Sequence, residues 1–347
     1  MILWSRLQSY RPQHLAPLLE RDRTLFEHWT HDAAVIPTDF FRFWKCRFAR
    51  ETERLRQRWS DWQGGAFHDR VEDVLAHVRA GGPVGSGEVG TDELRGKGGW
   101  WDWHPSKTAL EYLWRTGRLS ICRRRNFAKV YDLTERVLPE AHALPAPSDR
   151  EMIDWACSAA LDRLGFATSG ELAAFWALAK PDEAKAWCAR AQASGQIEEI
   201  AVTGADGRLR RVFARPGLAQ EIATLPAPAG RVRILSPFDP VRRDRNRAER
   251  LFGFRYRIEV FVPEPQRSYG YYVFPVMEAD RMIGRIDIRA RRADGSLAVR
   301  AFWAEPRVRL TARHEARPTA ELHRLAAFCG CGAVDFSEDW RQSGRGV

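Results

Sequence analysis

Val71, Val74, Leu75 and Val78 recur at the spacing of one helix face, and Gly81-Gly82-Pro83 stops the run. A short segment from Ser86 to Gly96 reads as a second helix. Ser106 is placed to cap a third, whose apolar positions are Leu110, Leu113 and Trp114 and whose end is Gly117. Two alternating segments follow, Arg118–Cys122 and Phe127–Leu133, joined by the basic turn Arg123-Arg124-Arg125-Asn126. Three helices and a basic hairpin are the layout of a winged helix, in which the third helix can enter a major groove while the wing touches the backbone.

The plan recurs. Met152–Leu164, Ser169–Leu178 and Pro181–Ala193 read as helices, the last with proline in its first turn. Gln196–Val202 and Arg208–Ala214 then form a hairpin around Ala205-Asp206-Gly207. Gly117-Arg118-Leu119 and Gly195-Gln196-Ile197 stand at the same junction in the two copies, so an internal repeat of roughly 70 residues is expected. Prolines 216, 226 and 228 mark a linker. Beyond it the period falls to two: Arg255–Val262, Tyr269–Val276, Arg281–Ala290 and Leu297–Trp303 read as strands of a small barrel, closed by a helix over Thr319–Cys329. Upstream, Leu15–Leu19 reads as helix, Leu25–Ile36 as a hairpin and Phe40–Trp59 as a long aromatic-rich helix. This resembles a winged helix lacking its beginning, because Met1 falls directly on an apolar helical stretch. The expected fold class is α+β, with tandem winged-helix units packed around a C-terminal small β-barrel. The expected segments are 1–65, 66–147, 148–215, a linker over 216–230, and 231–347.

Charge sharpens this picture. The 347 residues carry a formal charge of +10, with 49 Arg and only 6 Lys. Residues 95–136 hold ten basic and four acidic side chains, and residues 231–315 hold nineteen Arg and eleven acids, so the remainder is net acidic. Clustering of this kind favours a face that binds nucleic acid over a solvated surface, since arginine grips phosphate with a two-pronged fork. No apolar run is long enough to span a bilayer, no signal-peptide layout opens the chain, and a cytoplasmic, nucleoid-associated monomer without membrane contact is expected. Six cysteines form neither a disulfide framework nor a zinc spacing, and Cys329-Gly-Cys331 has no complementary pair. Buried thiols, with no metal and no cofactor, are expected.

Several motifs carry candidate chemistry. Gly85-Ser-Gly-Glu-Val-Gly90 matches a dinucleotide fingerprint in letters, but a helix precedes it and no βαβ unit surrounds it, so that reading fails. Lys97-Gly-Gly-Trp100-Trp-Asp-Trp103, followed by Lys107, either presents rings and cations to nucleic acid or packs its indoles beneath the third helix. Glu27, His28, His31 and Asp32 gather titratable groups at a strand edge, suited to acid–base work or to structural hydrogen bonding. Asp239 in Leu235-Ser-Pro-Phe-Asp-Pro240 is a turn former ahead of Arg242, Arg243, Arg245 and Arg247, which either pair with Asp244 and Glu249 or hold phosphates.

These stretches stand in one order with Leu3-Trp-Ser-Arg-Leu7, Arg124-Arg-Asn-Phe127, Val130-Tyr-Asp-Leu133, Tyr269-Gly-Tyr271 and Gly284-Arg-Ile-Asp287. Together they resemble the YcaQ/AlkZ-type bacterial winged-helix DNA glycosylases over nearly the whole chain. The resemblance implies three tandem winged helices and a barrel. It also implies metal-free excision of bulky N-alkylated purines from double-stranded DNA, with unhooking of interstrand crosslinks. Its catalytic Gln-x-Asp or Gln-x-Gln would lie upstream of the segment matching Leu3–Leu7. None of the nine glutamines here begins such a triplet; Gln196-Ile-Glu198 comes nearest, in the wrong repeat. Breaking an N-glycosidic bond builds oxocarbenium character on the sugar, which a carboxylate and an amide holding water would stabilise. The expectation is therefore an N-terminally truncated member that holds DNA with little hydrolysis; the alternative is a non-catalytic winged-helix DNA-binding protein or transcriptional regulator. No residue is assigned as the catalytic dyad, and Glu27, His31 and Asp32 are pocket neighbours. Expected phosphate and groove contacts are Lys97, Trp100, Trp103, Lys107, Arg115, Arg123, Arg124, Arg125, Asn126, Arg242, Arg243 and Arg245.

Overall fold

A computed structural model describes residues 1–63, 65–93, 103–306, 308 and 312–342 and is α+β. The chain divides into two compact units. One comprises Pro12–Glu199 with Val212–Pro216, the other Met1–Arg11, Ile200–Arg211 and Gly217–Val347.

In the first unit the antiparallel hairpin Leu25–Trp29/Ala33–Pro37 leads into the helix Phe41–Gln63. Phe41, Trp44, Phe48, Leu55 and Trp59 fall on one stripe of that helix and are buried. The upstream part of the stripe shares a core with Phe26, Met152, Ala156, Trp176 and Trp187. The helices Asp149–Leu164, Ser169–Trp176 and Pro181–Ala193 follow the expected bounds closely. Ser148 and Thr168 open the first two with reciprocal capping boxes to Glu151 and Glu171.

The helix Phe67–Gly81 also lies where its periodicity put it. Residues 86–93 form turns instead of the expected second helix; its remainder, 94–96, lies outside the described residues. Glu88 explains the turn, since its carboxylate accepts from the Gly85 amide at 2.6 Å and so closes the loop on itself. The first glycine amide of that fingerprint-like stretch is thereby taken by the protein's own carboxylate. Val84–Gly85 adds a third strand to the hairpin Leu119–Arg125/Ala128–Leu133.

The helix Pro105–Arg115 is built largely into the core of its unit. Ser106, Thr108, Ala109, Leu110, Tyr112, Leu113 and Trp114 are all buried, and the half-buried Lys107, Glu111 and Arg115 share the remaining face. The helix Phe41–Gln63 covers one side, where the Tyr112 hydroxyl donates to the Thr52 carbonyl at 3.3 Å. His104, not Ser106, is the N-cap residue; Ser106 sits in the first turn and donates its amide and hydroxyl to Glu93 at 2.9 and 2.7 Å. Gly117 ends this segment at φ +77°, against the ring of Phe48.

In the second unit a curled, half-barrel sheet runs in the order Ala333–Phe336, Ser296–Ala304, Arg281–Arg291, Val273–Glu278, Val232–Ile234. The outermost pair, Ser296–Ala304 with Ala333–Phe336, is parallel. The expected strand over Arg255–Val262 is absent. Phe254 and Tyr256 do point inward, and the Tyr256 hydroxyl reaches the Val273 carbonyl, so the alternation belongs to an extended segment that borders the sheet without joining its ladder. The helix Ala312–Phe328 packs Leu322, Leu325 and Ala326 onto the sheet, with Trp4 in the same core. Arg6 places the first helix, Ile2–Arg6, by a two-pronged bond to the fully buried Asp239, at 2.6 and 2.7 Å. Asp239 in turn accepts from the Val241 amide at 3.0 Å, which makes it a helix cap as well as the expected turn former.

Candidate nucleic-acid interface

The Leu119–Arg125/Ala128–Leu133 hairpin is built so that alternate cations have opposite fates. Arg124 lies across from Lys129, and Arg125 from Ala128. Side chains alternate faces along a strand. Arg124 turns toward Glu27, donating Nε to Oε1 at 2.9 Å with a second prong alongside, and its guanidinium also reaches the Phe127 carbonyl. Lys129 lies over the Trp114 ring at 3.7 Å and bonds both oxygens of Glu111 at 2.9 and 3.1 Å. Burial lowers the Lys129 pKa despite the neighbouring Glu111. The Tyr131 hydroxyl donates to the same carboxylate at 2.6 Å, and burial together with the Glu111 charge pushes its pKa well up. Arg123 and Arg125 stay exposed. Arg125 meets Glu88 in a solvent-facing pair at 3.0 Å, and the Gly85 amide with Arg125 keeps the Glu88 carboxyl below its usual range.

The turn joining the strands is two residues long. Asn126 and Phe127 both have positive φ, +48° and +68°, as the favoured two-residue hairpin turns require. Asparagine tolerates that conformation and phenylalanine does not. Phe127 is nonetheless 91% exposed.

Other expected contacts are placed differently. Lys107 stacks over Trp103 at 4.8 Å, and Trp103 packs edge-on against Trp59 and Trp62. This indole therefore belongs to an aromatic cluster of the unit. Lys97 and Trp100 lie outside the described residues. Arg115 is turned inward, over the Trp29 ring at 4.5 Å and 3.7 Å from Glu51, and burial pulls its pKa down to about 10. Arg47 and Arg54 approach the same Glu51 carboxylate at 3.5 and 2.7 Å. Arg242 is buried over Tyr256 at 4.0 Å, Arg243 is half-buried, and Arg245 is exposed on the helix Arg245–Phe252, which Asp244 caps through the Arg247 amide at 2.9 Å.

The titratable group at the first hairpin does not converge. Glu27 is committed to Arg124. His28 is buried, its Nε2 donates to the Trp114 carbonyl at 3.0 Å, and burial, reinforced by the charges of Arg47 and Arg115, pushes its pKa down to about 3. His31 and Asp32 are solvent-facing, 3.9 Å apart. Among the described residues no group of His, Cys, Asp and Glu could hold a metal ion, and the six cysteines are unpaired. Among them, too, no helix is long and apolar enough to cross a membrane.

The end of the braced hairpin presents Arg123 and Arg125 at the surface, Arg125 in an exposed pair with Glu88, an arrangement chemically suited to a polyanion. Residues 1–328 match the family of AlkZ-like DNA glycosylases, and the chain belongs to that family of DNA-repair proteins. The solved structure of Streptomyces sahachiroi DNA glycosylase AlkZ shares the fold, with a TM-score of 0.59 and 18% identity over 91% of this chain and 82% of that one.

Proposed function

We propose that the chain engages double-stranded DNA carrying bulky N-alkylated purines, crosslinked ones included, and that the hairpin Leu119–Arg125/Ala128–Leu133 is its wing. The observation that carries this reading is the sorting of the hairpin's cations. Arg124 and Lys129 are engaged by the largely buried Glu27 and Glu111, whereas Arg123 faces solvent beside Asn126 and Arg125 makes only an exposed pair with Glu88. Helix Phe67–Gly81, helix Pro105–Arg115 and this hairpin support a winged-helix reading, as do the three helices of 149–193 with their hairpin Glu198–Thr203/Leu209–Ala214. In this reading the wing makes the main contact, and the Pro105–Arg115 helix, with most of its residues buried, is chiefly scaffold. Exposed Arg245 is a further phosphate contact on its own unit.

N-alkylation at a purine nitrogen makes the base cationic and a good leaving group, so hydrolysis needs only modest help from a carboxylate and a water-holding amide. A bulky lesion also favours an open surface over full extrusion of the base into a pocket. No Gln-x-Asp or Gln-x-Gln triplet occurs in these 347 residues. This chain therefore binds and cleaves slowly, the observation that keeps a purely DNA-binding role as the second reading. The test pairs duplex binding with release of N7-alkylguanine from a labelled oligonucleotide. Salt-dependent binding with little release is expected; robust release overturns the slow-cleavage part, and absence of binding overturns the whole.

A further inference from the structure

Phe127 has the highest exposure among the large hydrophobic side chains described, at 91%. It also occupies a left-handed backbone conformation, φ +68°, that a bulky side chain adopts only under compulsion. Glycine or asparagine would fill the second turn position without strain, as Asn126 does the first. Folding thus gains nothing from this phenylalanine: its ring is in solvent and its backbone is strained. The compulsion is visible. Arg124 bonds the Phe127 carbonyl and Glu27 at once, and its own amide donates to Glu20 at 3.1 Å, so the apex is braced from three sides. Arg123, Arg125 and Asn126, its neighbours along the hairpin, are exposed cations and an amide.

We propose that Phe127 is a wedge that enters between base pairs at an unstacked or distorted step while Arg123 and Arg125 hold the flanking phosphates. The proposal rests on the duplex-binding reading above and adds what the hairpin does there. The occupant is a base stack, because the apolar surface is a single exposed ring carried on a hairpin end with exposed cations beside it in the chain. Apolar side chains presented in this way intercalate and unstack duplex steps, and a ring stacks on any base without regard to sequence. The bracing fixes the backbone at the apex before DNA arrives, so binding does not have to order the turn that carries the ring.

The experiment uses the full 347-residue chain with Phe127→Ala, Phe127→Gly and Phe127→Trp. The probe is a duplex with a single mismatch flanked by 2-aminopurine, whose fluorescence rises on unstacking. The wild type and Phe127→Trp should bind the mismatch more tightly than the intact duplex and raise the signal. Phe127→Ala and Phe127→Gly should lose the rise and bind the mismatch about ten-fold more weakly. Phe127→Gly should melt no lower than the wild type, which separates this loss from a folding defect. Binding by the wild type with unchanged affinity and fluorescence in Phe127→Ala overturns the wedge and leaves the duplex reading standing. Failure of the wild type to bind any duplex overturns both.

Discussion

Arg124 and Glu27, 97 positions apart, are joined by a two-pronged ion pair whose cation also holds the carbonyl at the hairpin's apex. The bond divides the basic run Arg123-Arg124-Arg125 into two outward arginines and one brace, a division invisible in three identical letters.

The first prediction follows from that division. Arg123→Glu and Arg125→Glu should weaken duplex binding and reduce its log–log salt slope by about 1 or more each. Their stability cost should stay within about 1 kcal/mol, because the Arg125–Glu88 pair is solvent-exposed. Glu27→Gln should instead cost about 1 kcal/mol of stability, and the Glu27→Gln/Arg124→Gln double mutant should show coupling between the two. Salt titrations and urea melts of the same variants check both halves. Equal behaviour of all three arginines would remove the division.

Glu51 yields the second. It interrupts the apolar stripe of Phe41–Gln63, where Arg47, Arg54 and Arg115 converge on its carboxylate. Arg47 is buried and Arg115 nearly so, and removing the shared counter-charge strands both in low dielectric. Glu51→Gln should therefore cost about 3 kcal/mol in urea unfolding, and Arg115→Met should recover part of the loss in the double variant. Removing Asp73 from its exposed pair with Arg70 should change stability by less than about 1 kcal/mol.

What could be read from residues alone, and what could not, follows from the range of the interactions. The 149–193 helices were legible because their signals are local: Ser148 and Thr168 with glutamates three residues on, and Pro181 at a first turn. The hairpin was legible from alternation and Asn126. Arg255–Val262 misled because alternate burial in an extended segment looks like a strand, while ladder bonding depends on a neighbour elsewhere in the chain. Lys107 and Arg115 misled because their partners, Trp103, Trp29 and Glu51, come together only when the helices pack. Arg6 and Asp239 are separated by 233 positions, and neither motif names the other. Arg242 was lost to Tyr256 in the same way.

Gly117 carries the third prediction. A Cβ there would lie 2.3 Å from the Phe48 ring, and φ is +77°. Gly117→Ala meets both a clash and backbone strain, for about 2–3 kcal/mol in total. In a Phe48→Ala background the clash disappears while the strain remains, so the same substitution should cost less there. Chemical unfolding of the four variants in the cycle measures the difference, and strict additivity would show that the ring does not oppose the new methyl.

The last prediction concerns acid. His28 is buried, donates through Nε2 to the Trp114 carbonyl, and has its pKa pushed down to about 3 by burial and by the charges of Arg47 and Arg115. In the unfolded chain the same imidazole titrates near its ordinary 6.5. Between those values the unfolded state holds a proton that the folded state refuses, so stability rises with pH across this window and is lost as pH falls from about 6.5 toward 3. A single group of this kind contributes a slope of at most about 1.4 kcal/mol per pH unit. His28→Gln keeps a donor for the Trp114 carbonyl but carries no titratable ring. Its urea-unfolding free energy should therefore show a flatter pH dependence between 4 and 6 than the wild type's, by about one proton's worth of slope. Identical slopes in the two proteins would mean that His28 accepts its proton in the folded state, against the burial and the two arginines that surround it.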